Sequence, residues 1–600
     1  TFSDAITEHA RAEATGGRGV STRFNSAWSD RFTTRIGASF NDKRRDGRDP
    51  GINQPIQIVY QGTIASAGRL VGNGRLANLG SPVTAWNGQP NSKLTLSFDS
   101  TFLATAGVGS HELQTGLYAQ PRTRIGLTTS YVNGGYVLEE ATLRNPTSLD
   151  SGIVPFHRVL FDGTGLTNAR RLGQDYAVYL QDVWRPTSRL TINAGVRVDR
   201  IVWIDQLFDV TSQASTEIGP RLGINYAITA DARHIVRAHW VKVHDQPSAT
   251  SLSVGSVSLG QRDLYDLNLD GVFETTLITP ATLAITPARS IDPDLHQPFV
   301  EDWGAGYTQQ FRGRITAGID FVRRDFRDRP TLVETNGRYN GNVFTGYINE
   351  AFNNIYLQTN NTWNTPVYTS VELSVTKRTN RIQAIGSYVR QWRHLDGTWQ
   401  PNDPASFIQP AAFANDRGIG SPGGAVGSSD DANSLSGTNM AQAATASAQW
   451  QDHVARVGVT YNGPWNLLLS SSYQFESGAW SGPIVSQVPA DPAFGPPTVT
   501  LSNGRVVSNP LATTVRFTFP TRADGQLRTG LLHVWNARVG RQFVINHLKL
   551  DAALDLFNIT NNGADQSFMQ SANQTYNPLY GLTNNRQLPR SAQVLLRVAF

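Results

Sequence analysis

From Leu190 onward the chain alternates. Leu190, Ile192, Ala194, Val196 and Val198 interleave with Thr191, Asn193, Gly195, Arg197 and Asp199. Successive side chains of an extended strand point to opposite faces, so this segment has one apolar and one polar face. The division recurs at Leu222, Ile224, Tyr226 and Ile228 against Arg221, Gly223 and Asn225. Ile315, Ala317, Ile319 and Phe321 stand against Arg314, Thr316 and Asp320. Leu548, Leu550, Ala552, Leu554 and Leu556 stand against His547, Lys549, Asp551 and Asp555. Strands of this kind need water on one side and an apolar medium on the other.

Very short turns join the segments in pairs, at Ser29-Asp30, Pro186-Thr187-Ser188, Ala230-Asp231, Arg312-Gly313, Thr379-Asn380, Asn462-Gly463-Pro464 and Ile545-Asn546. Between pairs run long polar stretches near 42–92, 133–172, 246–297, 327–365, 394–452, 477–531 and 559–590. Connections in compact soluble domains have a median of about 4–6 residues, so seven such stretches argue against that class. Tight turns at one end and long loops at the other are the pattern of a membrane barrel with two different sides. Roughly 16–18 strands are readable, many near the ~9–11 residues that cross a hydrocarbon layer. Faint strands at Thr498–Val506 and Thr513–Phe519 fit either wall or loop. Trp28, Trp184, Trp203, Trp240, Trp392, Trp465 and Trp535 sit near strand ends. Indole rings favour the membrane–water boundary, which makes these the candidates for interfacial girdles.

Composition removes several other classes. No run of about 18 apolar residues free of charge occurs, which excludes a transmembrane helix. Abundant aromatics and a formal net charge of only +5 exclude disorder and give no basic block for nucleic acid. There is no cysteine, hence no disulfide and no thiolate metal site. No nucleophile elbow or His-Glu-x-x-His pair is present, and His111-Glu112 lacks a second histidine, so no enzyme is expected. Gly418-Ile419-Gly420-Ser421-Pro422-Gly423 has the glycine spacing of a dinucleotide fingerprint. It lacks the strand before it and the helix after it, and is expected to be a loop. No cofactor is expected. Asp266, Asn268 and Asp270, followed by Gly271, match the front half of a calcium loop, with Glu274 assisting through water. Leu277 stands where a bidentate Glu belongs and no helix flanks the segment, so an ion-free Asp/Asn turn is preferred to calcium. Inward groups such as Arg197, Arg221, Arg237, His239 and Arg538 are expected to line a wet lumen.

In the last segment Ala592, Val594, Leu596, Val598 and Phe600 share one face. An amphipathic final strand ending in Phe resembles the signal by which outer-membrane barrels are recognised for assembly. Several stretches together resemble the barrel of TonB-dependent receptors, particularly the Oar-like subgroup whose members carry an N-terminal carboxypeptidase-regulatory-like domain. They are Tyr179-Leu180-Gln181-Asp182-Val183-Trp184 with the strand from Leu190, then Gly219-Pro220-Arg221-Leu222-Gly223-Ile224-Asn225-Tyr226. Glu301-Asp302-Trp303 follows, then Leu554-Asp555-Leu556-Phe557-Asn558-Ile559-Thr560-Asn561 and Leu588-Pro589-Arg590.

The expected fold is therefore all-β, a large antiparallel transmembrane barrel of the outer-membrane type, for which the resemblance implies about 22 strands. Residues 1–18 read as a lead-in and 19–600 as the barrel. Neither a plug domain nor a TonB-contacting segment is found, and the expectation is that an N-terminal part has been left out. The resemblance implies outer-membrane lipid, the barrel-assembly machinery and a TonB-type energising protein as partners. It implies a small-molecule, glycan or peptide ligand taken up at the outer loops. The alternatives are a plug-free porin, a structural outer-membrane protein, or a soluble secreted β-rich protein that binds glycans.

Overall fold

The computed structural model describes residues 12–48, 56–64, 70–79, 85–105, 107–131, 135–145, 147–162, 169–245, 255–258, 260–280, 282–285, 289–340, 343–353, 355–361, 364–397, 451–479, 484–485, 495–509, 517–518, 528–545, 548–568 and 581–599. Its frame is a 17-stranded sheet. In chain order the strands are β1 (Ala12–Ser29), β2 (Phe32–Arg48), β3 (Ala85–Thr105), β4 (Ser110–Tyr131), β5 (Ala169–Thr187) and β6 (Leu190–Asp205). Next come β7 (Val210–Ala227), β8 (His234–His244), β9 (Phe299–Phe311), β10 (Ile315–Arg327), β11 (Asn364–Arg378) and β12 (Ile382–Gly397). The last are β13 (His453–Asn462), β14 (Leu467–Glu476), β15 (Leu532–Ile545), β16 (Leu548–Phe557) and β17 (Ser591–Ala599). Each pairs antiparallel with the next, a pure meander. Among the described residues no pairing joins β1 to β17.

The register is the one that the alternation demands, since a slip of one residue would turn every apolar side chain to the wrong face. Leu222 lies opposite Ala194 and Trp240, Ile319 opposite Tyr307 and Leu373, and Leu554 opposite Val539 and Val594. Leu222, Ile319, Leu373, Val539, Leu554 and Val594 are all exposed. Soluble monomers rarely show contiguous apolar patches above a few hundred Å². A wall whose outer face carries a broad apolar band is instead solvated by lipid. Among the described residues, the fully buried apolar side chains gather mostly in the long connections, including Val59, Val137, Ala141, Leu143, Val154 and Phe156. The wall needs no core behind it.

Several expectations shift. β1 begins at Ala12, inside the segment read as a lead-in, because polar Gly-rich residues there pair with Asp42–Arg48 and carry no alternation to betray a strand. The rule of long loops at one end fails once: β6 and β7 are joined by residues 206–209 alone. The faint strands belong to loops, not wall. Thr498–Thr500 pairs with Val506–Ser508, and Phe517–Thr518 with Ile484–Val485. Gly313, at φ +80, supplies the left-handed residue of the Arg312-Gly313 turn. Asn546 and the Gly418–Gly423 stretch lie outside the described residues. Trp28 and Trp465 are exposed beside tight turns, as a girdle requires. Trp203 is not a girdle residue: it is buried with Ile201 and Leu295 at the long-loop end.

Candidate functional site at the loops and mouth

Several lumenal charges are paired, mostly across strands. Arg237 donates to both oxygens of Asp320, at 2.5 and 2.6 Å, and to Thr308. Arg538 reaches Asp555 at 2.5 and 2.7 Å, and Arg197 holds Asp199 at 2.8 Å. His239 lies 3.3 Å from Asp302, which Arg324 also meets at 2.9 Å. Hydrated pairs of this kind fix orientation more than stability. Sequence reasoning placed these charges on polar faces but missed their pairing, since all the pairs except Arg197–Asp199 span two or more strands whose register must be known first.

At the long-loop end, residues 289–297 return to the inward face of the wall. Leu295 packs on Ile201 and Trp203, with Ile125 and Ile291 around them. Gln297 donates to Ser215 at 3.2 Å, and His296 lies 3.0 Å from Glu217. Gly173 sits under the Trp203 ring, and a Cβ there would come within 2.6 Å of ring carbons. Beside this contact lies a cavity of about 240 Å³ lined by Asp175, Arg197, Asp199, Arg221, Lys242 and Gln297. Arg221, expected in the lumen, lines this cavity together with Arg197. Both signs of charge face the cavity, so it suits a polar ligand better than an apolar one.

Three long connections join into one six-stranded sheet. Ile56–Ile64 and Leu70–Leu79 come from the β2–β3 connection, Tyr136–Leu143 and Ile153–Asp162 from β4–β5, and Gly260–Tyr265 and Thr275–Thr279 from β8–β9. Arg158 bonds Glu139 at 2.9 Å, and Gln57 donates to the same carboxylate at 2.6 Å. Val137, Ala141 and Leu143 share the buried face of Tyr136–Leu143, but Glu139 on that same face breaks the apolar alternation that would have revealed the strand. A second contact joins two further connections: Phe344 and Tyr347 pack with Leu501 and Val507. There Glu350 accepts from the Ser502 hydroxyl at 2.8 Å and from the Ser502 and Asn503 amides. Those hydrogen bonds, the Ser502 hydroxyl first, hold its carboxyl below the usual range.

The acidic turn follows Gly260–Tyr265. Asp266 is fully buried and accepts from the amides of Leu269, Asp270 and Gly271 at 2.7, 3.3 and 2.7 Å. Asn268 bonds Asp270 through both side chain and backbone. Ligand atoms of Asp266, Asp270 and Glu274 lie within 4.8 Å of one another, so Glu274 joins the set and Leu277, on the next strand, does not. Backbone donors alone account for the turn. At the far end, Val594, Leu596 and Val598 of β17 are exposed on the lipid face, and Phe600 lies outside the described residues. His111 bonds Asp182 at 2.8 Å and stacks on Trp184.

The family model for the TonB dependent receptor-like beta-barrel matches residues 3–559. The fold is similar to that of the outer membrane transporter YddB from Escherichia coli, with a TM-score of 0.54 at 10% identity, covering 98% of this chain and 63% of that one. The ferric-catecholate import receptor Fiu from E. coli K12 aligns at a TM-score of 0.49 and 13% identity, over 98% and 64%. The chain therefore spans less than two thirds of the length of these transporters. A search of curated protein sequences returns no match. The meander, the lipid-facing apolar wall and the family match agree: this chain belongs to the TonB-dependent receptor β-barrel family of the outer membrane, which comprises transporters and not enzymes.

Proposed function

We propose that the chain is the wall and outer-loop part of a transporter that binds a polar small molecule, glycan or peptide at its loops. In the complete protein the ligand then passes inward when TonB displaces a plug. The observation that carries this reading is the mouth: residues 289–297 pack on Ile201 and Trp203 beside a mixed-charge cavity, and three of the long connections are knitted into one sheet. The Oar-like assignment belongs to the same proposal and is supported by the stretches quoted from Tyr179 to Arg590. So does assembly through the β17 face of Val594, Leu596, Val598 and Phe600 by the barrel-assembly machinery.

The test is a binding panel on the purified chain in detergent, covering ferric chelates, cobalamins, oligosaccharides and short peptides. Saturable binding of one class, weakened at least tenfold by Arg221→Ala, is the expected result. Absence of binding by every class, together with unselective solute flux through liposomes, would instead make the chain a porin. The acidic turn is proposed to stand without an ion, held by the three backbone donors to Asp266. The alternative is a structural calcium at Asp266, Asn268 and Asp270 with Glu274 completing the set, which the convergence of three carboxylates supports. Saturable, chelator-reversible calcium binding that Asp270→Asn abolishes would establish the calcium and overturn the ion-free turn. Binding that survives Asp270→Asn, or none at all, rejects the calcium site.

A further inference from the structure

The loop sheet holds a histidine that the transport reading leaves unused. His157, on Ile153–Asp162, faces a carboxylate with each ring nitrogen. Nδ1 lies 2.8 Å from Oε2 of Glu140, and Nε2 lies 2.9 Å from Oδ1 of Asp263. Register produces the bracket, because Glu140 and Tyr265 both stand opposite His157 on the two neighbouring strands. The second oxygen of Glu140 accepts from the Tyr60 hydroxyl at 2.9 Å, and the amide of Gln261 donates to Asp263. The Tyr265 ring stacks on the imidazole at 4.4 Å. His157 and Asp263 are nearly buried, at 12% and 10% side-chain exposure, so water cannot substitute freely for either contact. The bracket thereby links all three connections of the sheet.

A neutral imidazole carries one N–H and one lone pair. It would donate to one carboxylate and turn its lone pair on the other at under 3 Å. Only the imidazolium donates to both. With it the three groups sum to one negative charge; without its proton they sum to two in a nearly buried site. We propose that His157 is a proton-operated clamp on the outer loops, closed while its ring is doubly protonated and releasing Gly260–Tyr265 from its neighbours when the ring loses a proton.

Among the described residues, the titratable groups that face the ring all belong to the bracket: Glu140, Asp263, Tyr265 and, through Glu140, Tyr60. Glu139, Arg158 and Arg262 occupy the alternate positions and face away. Burial by itself pushes the His157 pKa down, but the hydrogen bonds to Glu140 and Asp263 outweigh it and leave the pKa raised. The bond from His157 likewise lowers the Glu140 carboxyl, against the effect of burial. For a raised histidine, the stabilisation is complete below the unfolded value of about 6.5 and disappears as pH climbs through the folded value. For the lowered Glu140, it is complete above the unfolded value of about 4.3 and disappears on acidification through the folded one. The clamp is closed in the window between.

This inference rests on the loop sheet alone and survives any outcome of the ligand panel. Its test is hydrogen–deuterium exchange of the full chain in detergent, corrected for intrinsic rates, with β6 as internal reference. Protection of 153–162 and 260–265 should fall about tenfold relative to β6 between about pH 6 and pH 9. His157→Gln should make that protection independent of pH. Asp263→Asn, which removes one carboxylate but keeps an acceptor, should move the midpoint to lower pH. An unchanging ratio in the parent chain overturns the clamp, as does the same fall in His157→Gln. Should His157→Gln not fold, an unmoved midpoint in Asp263→Asn overturns it equally.

Discussion

Replacing Leu554 by Arg places a charge on the wall face assigned to lipid. Leu554 is 41% exposed, and its cross-strand neighbours Val539 and Val594 are 50% and 70% exposed, so no protein group waits to pair with a guanidinium. It stands six residues above Leu548, the tight-turn end of β16. At about 3.3 Å per residue and a tilt near 40°, that is roughly 15 Å of height in an apolar band about 25 Å tall. The position is therefore close to the midplane, where an arginine costs about 2–4 kcal/mol. Equilibrium unfolding by guanidinium in lipid vesicles, followed by tryptophan fluorescence, reads the cost directly. Asn193→Arg serves as the reference, because Asn193 shares the inward face with Arg197 and stands opposite Gly223. A charge added to a wet lumen should change stability by less than about 1 kcal/mol. Equal costs for the two substitutions would refute the assignment of faces. A large cost at Asn193 alone would mean that the faces are reversed.

Two further substitutions probe the long-loop end. Asp205 is fully buried and ion-paired with Arg171, so Asp205→Ala leaves a buried cation without its carboxylate and should cost about 3–5 kcal/mol in the same unfolding assay. A loss under about 1 kcal/mol would show that the pair is hydrated. Leu295→Ala removes the side chain that anchors 289–297 on Trp203, at an expected cost of about 2–5 kcal/mol confined to that segment. Hydrogen exchange should rise in 289–297 and stay unchanged in β13 and β14; unchanged exchange in both would mean that the hydrogen bonds from His296 and Gln297 suffice.

The wall was legible because its information is local. Alternation at Leu190–Asp199 and Leu548–Leu556 determines the faces, and turns such as Arg312-Gly313 determine the pairs. The family resemblance carried by those same strands holds at the level of the receptor barrel. β1 escaped detection before residue 19 because Gly16, Gly17 and Gly19 carry no side-chain pattern. The loop sheet and the His157 bracket escaped for another reason. His157, Glu140 and Asp263 are 17 and 106 residues apart, and nothing local to any of them announces the other two. Trp203 was misplaced because a tryptophan near a strand end serves a girdle and a mouth cluster equally well until Leu295 is seen against it.

The account rests on a sheet solvated by lipid outside and water inside. Refolding the purified chain with and without detergent, with circular dichroism and gel mobility before and after boiling, tests that claim most directly. The account predicts a β-rich species whose mobility changes on heating and which forms only when detergent is present. A folded, monodisperse protein in plain buffer would contradict it.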